Sequence, residues 1–84
     1  MKTEDKLIVL MEECAEVIQA ASKCVRFTWE EDYPGYGVNH EVLAREVGDL
    51  LGIIESLPLD QNLINLHKST KMTKVEKLFE EYSC

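Results

Sequence analysis

The feature that most restricts the fold is a helical pattern of apolar residues near the N-terminus. At about 100° per residue, residues 3–27 form two apolar strips along a helix. The first strip, which we call the N-terminal seam, comprises Leu7, Met11, Cys14, Ile18, Ala21 and Val25. The second comprises Val9, Val17, Ala20, Cys24 and Phe27, and Glu13 lies within it. A helix that is apolar on two sides needs partners on both, which predicts a helical bundle.

A second amphipathic segment repeats this pattern, including an acid in an apolar position. Its seam comprises Leu43, Val47, Leu50, Ile54 and Leu57. Val42 and Ile53 flank that seam, Glu46 projects between them, and Asp49 lies next to Val42. This segment therefore predicts a second helix that carries acids at the edge of its buried side.

Capping residues predict where the helices begin and end. Thr3 and Asn39 are the expected N-caps of the first two helices. Pro58 stops the second helix. Asp60 can cap a third segment, which reads as helical to about Tyr82.

The chain is expected to form one all-α domain over residues 1–84, a small bundle of three to four helices. A fourth helix would result from a break in the third segment, where Thr73 and Glu76 could form a capping box. A domain of this size buries only about 60% of its unfolded surface. We therefore expect oligomerisation to complete the bundle, as a homodimer or homotetramer; the alternative is a monomer with an exposed apolar patch.

The acids form two matched pairs, Glu13 with Glu16 and Glu46 with Asp49. Each pair is three residues apart, which places both carboxylates on one helix face. Four carboxylates converging in apolar surroundings would repel one another, and no four cations lie on the same faces. A hard divalent cation held by oxygen ligands compensates best, with Mg²⁺ expected and Mn²⁺ as a substitute. The alternative is a pair of boundary salt bridges whose acids lean into water.

The connection between the first two helices is rich in aromatic residues, with Trp29, Tyr33 and Tyr36. They could plug the open end of the bundle. Alternatively, Trp29 and its neighbours could form a stacking wall for a planar base.

Lysines in the third helix are candidates for binding phosphate. Lys71 falls in the middle of that helix's apolar face, and Lys74 lies beside it. Lys71 could snorkel to water, pair with one of the clustered acids, or bind a phosphate together with Lys74. Lys23, in the first helix, is a weaker candidate for the same role.

Charge and cysteine content exclude several classes of function. The formal charge of −7 and the lack of a basic stripe argue against a nucleic-acid polymer as ligand, but not against a free nucleotide. No signal-peptide core or membrane span is recognisable. Cys14, Cys24 and Cys84 fit neither a disulfide framework nor a zinc spacing, with Cys14 expected in the core and Cys84 as a free terminal thiol. A reducing cytoplasm is the expected setting.

The acidic motifs resemble the signature of MazG-like nucleoside triphosphate pyrophosphohydrolases, an all-α superfamily. The matching motifs are Glu-Glu-x-x-Glu over residues 12–16 and Glu-x-x-Asp over residues 46–49. The sequence also agrees with the family at residues 17–23, at the two leucines after Asp49 and, more loosely, at the lysines of residues 71–77. The connection over residues 17–45 is slightly longer than is usual for the family.

The resemblance implies Mg²⁺-dependent hydrolysis between the α- and β-phosphates of a nucleoside triphosphate. It implies metal ligands, water activation and a subunit interface near the site. The metal ligands would be Glu13, Glu16, Glu46 and Asp49. Glu12 or Glu16 would activate the water, and Lys23, Trp29, Lys71 and Lys74 would contact the substrate.

Two other classes of function remain open. One is a non-enzymatic helical interaction module whose acids bind a structural cation or a basic partner. The other is a di-iron or di-manganese carboxylate bundle, which needs Glu-x-x-His on facing helices. Neither His40 nor His67 follows a glutamate at that spacing, so the second alternative is disfavoured.

Overall fold

The fold is all-α, as predicted, apart from one very short strand pair. The structure is a computed structural model that describes residues 1–33 and 37–82. Its elements are α1 (Thr3–Arg26), β1 (Asp32–Tyr33), β2 (Gly37–Val38), α2 (Asn39–Glu55) and α3 (Gln61–Tyr82). The expectations for Tyr36 and Cys84 lie outside the described residues.

Two of the three capping predictions are wrong by one residue. α1 begins at Thr3 itself and α2 at Asn39 itself, so neither residue is an N-cap. The Asn39 amide instead donates a hydrogen bond to the Thr28 carbonyl oxygen, 2.7 Å away. α1 has no side-chain cap, but the acids in its first turn interact favourably with the positive end of the helix dipole. The Asp60 cap is confirmed, because its carboxylate accepts a hydrogen bond from the Leu63 backbone amide at 3.1 Å.

α1 and α2 form an antiparallel hairpin that is tied at both ends. At the end away from the connection, the Lys6 ammonium group donates a hydrogen bond to the Ser56 carbonyl oxygen at 2.8 Å. At the connected end, the buried Asn39 side chain holds Thr28. These two contacts fix the register of the helices, and they therefore determine which residues of α1 and α2 face each other.

The connection from α1 to α2 closes against the start of α2. The backbone amides of Asn39 and His40 donate to the carbonyl oxygens of Glu31 and Trp29, which satisfies amides that have no partner within the helix. β1 and β2 pair antiparallel, with Tyr33 opposite Gly37. Gly37 has φ +97°, and a Cβ there would lie 3.0 Å from the Arg45 guanidinium, so this turn favours glycine.

The second apolar strip of α1 faces α2, whereas the N-terminal seam does not. Ala20 is only 4% exposed, and Val17 and Cys24 are half-buried beside it. By contrast, Ile18 is 70% exposed. Cys14 also lies on this exposed seam, so the expectation that it is a core residue is wrong for the single chain.

α3 is one continuous helix that stands apart from the hairpin. It makes no substantial packing contact with α1 or α2, and none of its described residues is buried. The break considered near Thr73 is absent, because the Thr70 and Thr73 hydroxyls donate to the carbonyl oxygens of Leu66 and Ser69 within the helix.

The chain is flat rather than spherical, with extents of 41 × 37 × 14 Å. The radius of gyration is 15.6 Å, whereas a compact domain of this length has about 12 Å. This shape leaves many large apolar side chains of the described residues exposed.

Candidate metal centre

The hairpin brings both acidic motifs to one place. Glu13 and Glu16 lie one turn apart on α1, and Glu46 and Asp49 lie one turn apart on α2. One carboxylate oxygen from each of the four residues lies within 4.8 Å of the other three. We call these four residues the carboxylate cluster. The i,i+3 spacing and the hairpin register together produce it.

The cluster is half inside the helix pair and half in solvent. Glu13 and Glu46 are partly buried, while Glu16 and Asp49 are exposed. The Oε2 atoms of Glu13 and Glu46 are shielded from solvent and have no hydrogen-bond partner. A buried carboxylate oxygen without a partner is costly, so a bound cation would stabilise this arrangement.

The two partly buried carboxylates of the cluster, Glu13 and Glu46, have raised pKa values. Burial raises the pKa of Glu13 above its ordinary value of 4.5, and repulsion from Glu16, Asp49 and Glu12 adds to the shift. The pKa of Glu46 is raised first by a hydrogen bond with Glu16, then by burial and by repulsion from the other acids. Each of these effects favours the protonated acid, which means that the cluster carries its full negative charge only at a cost.

The donor set suits a hard divalent cation. Oxygens that share one Mg²⁺ at about 2.0–2.1 Å lie about 3–4 Å apart, and those on Ca²⁺ lie up to about 5 Å apart. The observed separations of up to 4.8 Å therefore need only small side-chain rotations to ligate one ion. The cluster contains no histidine or cysteine, which disfavours zinc or copper and the histidine-containing di-iron alternative.

A groove of about 220 Å³ leads away from the cluster between α1 and α2. Its lining residues are Glu16, Gln19, Ala20, Lys23, Val42 and Glu46. Glu16, Gln19 and Lys23 recur at helical spacing along α1, so the groove follows that helix for about two turns, or roughly 10 Å. Ala20 and Val42 give it an apolar floor. The groove therefore connects the carboxylates with an amide and a cation.

Gln19 and Val42 were not identified as site residues from the sequence. The spacing of Gln19 from Glu16 and Lys23, three and four residues, was the available signal. It did not single Gln19 out, because polar residues on that arc of α1 read equally well as solvent-facing. The groove appears only once the register of α2 against α1 is known.

The other predicted site residues lie at different distances from the cluster. Lys23 lines the groove, as a phosphate-binding residue would. Glu12 is exposed and lies outside the cluster, although it adds to the repulsion on Glu13. Lys71 and Lys74 lie on the exposed surface of α3, away from the groove.

Trp29 lies in the connection at the α2 N-terminus. It is 55% exposed, so it does not plug the end of the hairpin. Its ring stacks on His40, with centroids 5.5 Å apart and planes 18° apart. The His40 imidazole also lies 3.7 Å from the Glu30 carboxylate. The stacking contact orients the indole and leaves much of it accessible.

Comparisons with known proteins do not assign a family. No protein-family model, no curated protein and no solved structure matches this chain. Within the described residues, no helix is both long enough and apolar enough to span a membrane.

Proposed function

We propose that the protein is a Mg²⁺-dependent nucleoside triphosphate pyrophosphohydrolase. It would cleave between the α- and β-phosphates and release a nucleoside monophosphate and pyrophosphate. The observation that carries the proposal is the convergence of Glu13, Glu16, Glu46 and Asp49, with two shielded oxygens that lack partners. The resemblance of these same residues to the MazG-like signature supplies the reaction type.

The four clustered carboxylates would hold the metal, with Mn²⁺ as a substitute for Mg²⁺. When bound, such an ion polarises phosphoryl oxygens and lowers the pKa of water. Glu16 and Glu12 are the candidates for orienting and deprotonating the attacking water. Glu16 belongs to the cluster and also lines the groove. Glu12 lies outside the cluster, so it could act on the water without also binding the metal.

The groove gives the substrate a path from the cluster. Lys23 lies about two turns from Glu16 along α1, which suits an ammonium group that neutralises phosphate oxygens. Lys71 and Lys74 are the other proposed phosphate ligands. The accessible face of Trp29 is the proposed stacking surface for the base.

The proposed assembly is a homodimer or homotetramer in the cytoplasm. The exposed N-terminal seam supports self-association, because Met11, Ile18 and Val25 are each more than 60% exposed in the single chain. The cytoplasmic setting rests on three cysteines that match no disulfide framework.

The second candidate is a helical interaction module with a structural cation. The same exposed seam favours it, because an apolar surface of this kind also suits a different protein partner. In that case the cluster would bind a cation without any turnover of nucleotides.

A substrate panel separates the two candidates. Canonical and modified nucleoside triphosphates would be incubated with the protein and Mg²⁺, and monophosphate and pyrophosphate would both be quantified. The enzyme proposal predicts equal amounts of the two products from at least one triphosphate. Release of orthophosphate instead would contradict cleavage between the α- and β-phosphates, and no release of either kind favours the interaction module.

A further inference from the structure

α3 makes no substantial packing contact with α1 or α2, and none of its described residues is buried. A helix of 22 residues that packs on nothing is only marginally stable in water, because most helical stability in proteins comes from packing an amphipathic face. Six large apolar side chains of α3 are between 48% and 80% exposed. They are Leu63, Leu66, Met72, Leu78, Phe79 and Tyr82. The helix therefore presents a surface that requires a partner.

One face of α3 has the spacing of a helix–helix interface. Its residues follow one another at intervals of four, three, four and three positions, which is the a/d repeat of a coiled coil. They are Lys68, Met72, Val75, Phe79 and Tyr82, and we call them the α3 seam. A shallow hollow of about 340 Å³ lies on the seam, where Met72, Val75 and Phe79 border it together with Lys71 and Glu76. The seam is thus an apolar strip that contains one lysine.

The exposed area of the chain is large enough for an interface on this helix. It is 6858 Å², whereas a compact folded protein of 9.6 kDa is expected to expose about 5,100 Å². The difference is about twice the roughly 800 Å² that each partner buries in a standard interface. Burial of the α3 seam is therefore compatible with additional burial of the N-terminal seam.

Lys68 restricts how two copies of the α3 seam can pair. In a parallel pair in register, each Lys68 would lie opposite Lys68 of the other copy, and two like charges would meet inside an apolar interface. In an antiparallel pair, a and d positions face each other, so Met72 pairs with Val75 and Lys68 pairs with Phe79 of the other copy. Glu76 lies one turn before Phe79 and next to the seam, so its carboxylate would come within reach of that lysine. The antiparallel orientation is therefore the one that pairs the charge in the seam.

We propose that α3 pairs antiparallel with α3 of a second copy of this chain, and that Lys68 of each copy lies against Glu76 of the other. The charge distribution along α3 supports this arrangement. Lys68, Lys71 and Lys74 precede the acids of α3, all of which lie from Glu76 onward, with Lys77 among them. Antiparallel pairing places the basic segment of each copy beside the acidic segment of the other, and the two-fold axis repeats the contact. The interface requires no substrate and no metal, so it is independent of the proposed activity.

An exchange of charges tests the pairing. The background is Ile18→Asp, which weakens association through the N-terminal seam, and dissociation constants are measured by sedimentation equilibrium. Lys68→Glu or Glu76→Lys alone places like charges together and should weaken association about tenfold or more. The double variant Lys68→Glu/Glu76→Lys restores opposite charges and should recover the affinity of the background. Lys77→Glu, on the opposite side of α3 from the seam, is the control and should leave the affinity unchanged.

Recovery in the double variant would support the antiparallel contact. Single variants that associate as tightly as the background, or a double variant that associates no more tightly than the single variants, would overturn it. A background chain that is folded but does not associate at all would also overturn it, and would leave the α3 seam to a different partner. Circular dichroism shows whether each variant keeps its helices, and where one does not, cross-linking of the wild type decides.

Zero-length cross-linking tests the same contact without any substitution. Unlabelled and ¹⁵N-labelled wild-type chains would be mixed in urea, refolded together, treated with a carbodiimide and analysed by mass spectrometry. Within one chain, Lys68 and Glu76 lie about 12 Å apart along the helix, which is too far for a direct link. A Lys68–Glu76 link therefore has to join two chains, and about half of these links should join a labelled to an unlabelled chain. A link between Lys77 and Glu81, one turn apart, is the control and should carry one isotope only. Absence of Lys68–Glu76 links, or links that always carry one isotope, would overturn the proposal.

Discussion

Glu16 on α1 and Glu46 on α2 bring their carboxylates together across the helix pair, with one oxygen of each within 4.8 Å of the other. The interaction with Glu16 and partial burial raise the pKa of Glu46 above its ordinary value. The Glu46 oxygens are also candidate metal ligands, so metal binding and protonation of Glu46 compete for the same atoms.

The first prediction is that a divalent cation stabilises the fold through this cluster. Mg²⁺ or Mn²⁺ should raise the melting temperature of the wild type, and at a hundredfold excess over Kd the stabilisation is about 2.7 kcal/mol. Glu46→Gln should abolish the shift, because it removes a charged ligand. Glu55→Gln, on the same helix but outside the cluster, should keep it. Equal shifts in wild type and Glu46→Gln would remove the metal site.

The second prediction concerns the pH dependence of the metal-free protein. The folded-state pKa values of Glu13 and Glu46 lie above 4.5. Below pH 4.5 both acids are protonated in the folded and unfolded states. As pH rises through 4.5 the unfolded chain loses these protons first, so this contribution lowers stability until pH passes the folded-state pKa values. Urea unfolding between pH 4.5 and 7 should show a smaller loss for Glu13→Gln/Glu46→Gln than for wild type; parallel curves would argue against the coupled cluster.

The third prediction concerns the contact between Asn39 and Thr28. Asn39 is 2% exposed, and its amide lies 2.7 Å from the Thr28 carbonyl oxygen. Asn39→Ala should lower the free energy of unfolding by about 1–2 kcal/mol, because a buried hydrogen bond is lost. Asn62→Ala, at an exposed position of α3, should change it by less than about 0.5 kcal/mol. Similar effects of the two substitutions in urea unfolding would contradict this contact.

The fourth prediction concerns self-association through the N-terminal seam. Analytical ultracentrifugation of the wild type at micromolar concentration should give the mass of two or more chains. Ile18→Asp should shift the distribution toward the single chain, because it places a charge in the seam. Ile8→Asp introduces the same charge at a position that is 51% exposed and outside the seam, and it should leave the mass unchanged. A folded wild type that sediments only as a 9.6 kDa species would contradict self-association.

The helical fold and the four clustered residues could be predicted because both depend on local periodicity. Three-residue spacing places Glu13 beside Glu16 in any α-helix, and the same holds for Glu46 and Asp49. That the two pairs meet depends on α1 and α2 packing as neighbours, which is the usual outcome for consecutive helices.

The sequence did not determine which apolar strip of α1 packs against α2. The seam containing Ile18 and the strip containing Ala20 are both apolar, and only the register set by the Lys6–Ser56 and Asn39–Thr28 contacts separates them. The isolation of α3 was also not predictable, since its amphipathic pattern indicates a buried face without indicating which chain buries it.

The most direct test of the pyrophosphohydrolase proposal compares wild type with Asp49→Asn on the triphosphate panel with Mg²⁺, quantifying monophosphate and pyrophosphate. Wild type should release both products in equal amounts. Turnover by Asp49→Asn should be lower by about 10²-fold or more. The mutant should remain folded, and without metal it should be at least as stable as wild type, because one repelling charge is gone. A folded mutant that fails to bind metal and yet cleaves every substrate as fast as wild type would contradict the proposed site. A wild type that cleaves no triphosphate would contradict the proposed function.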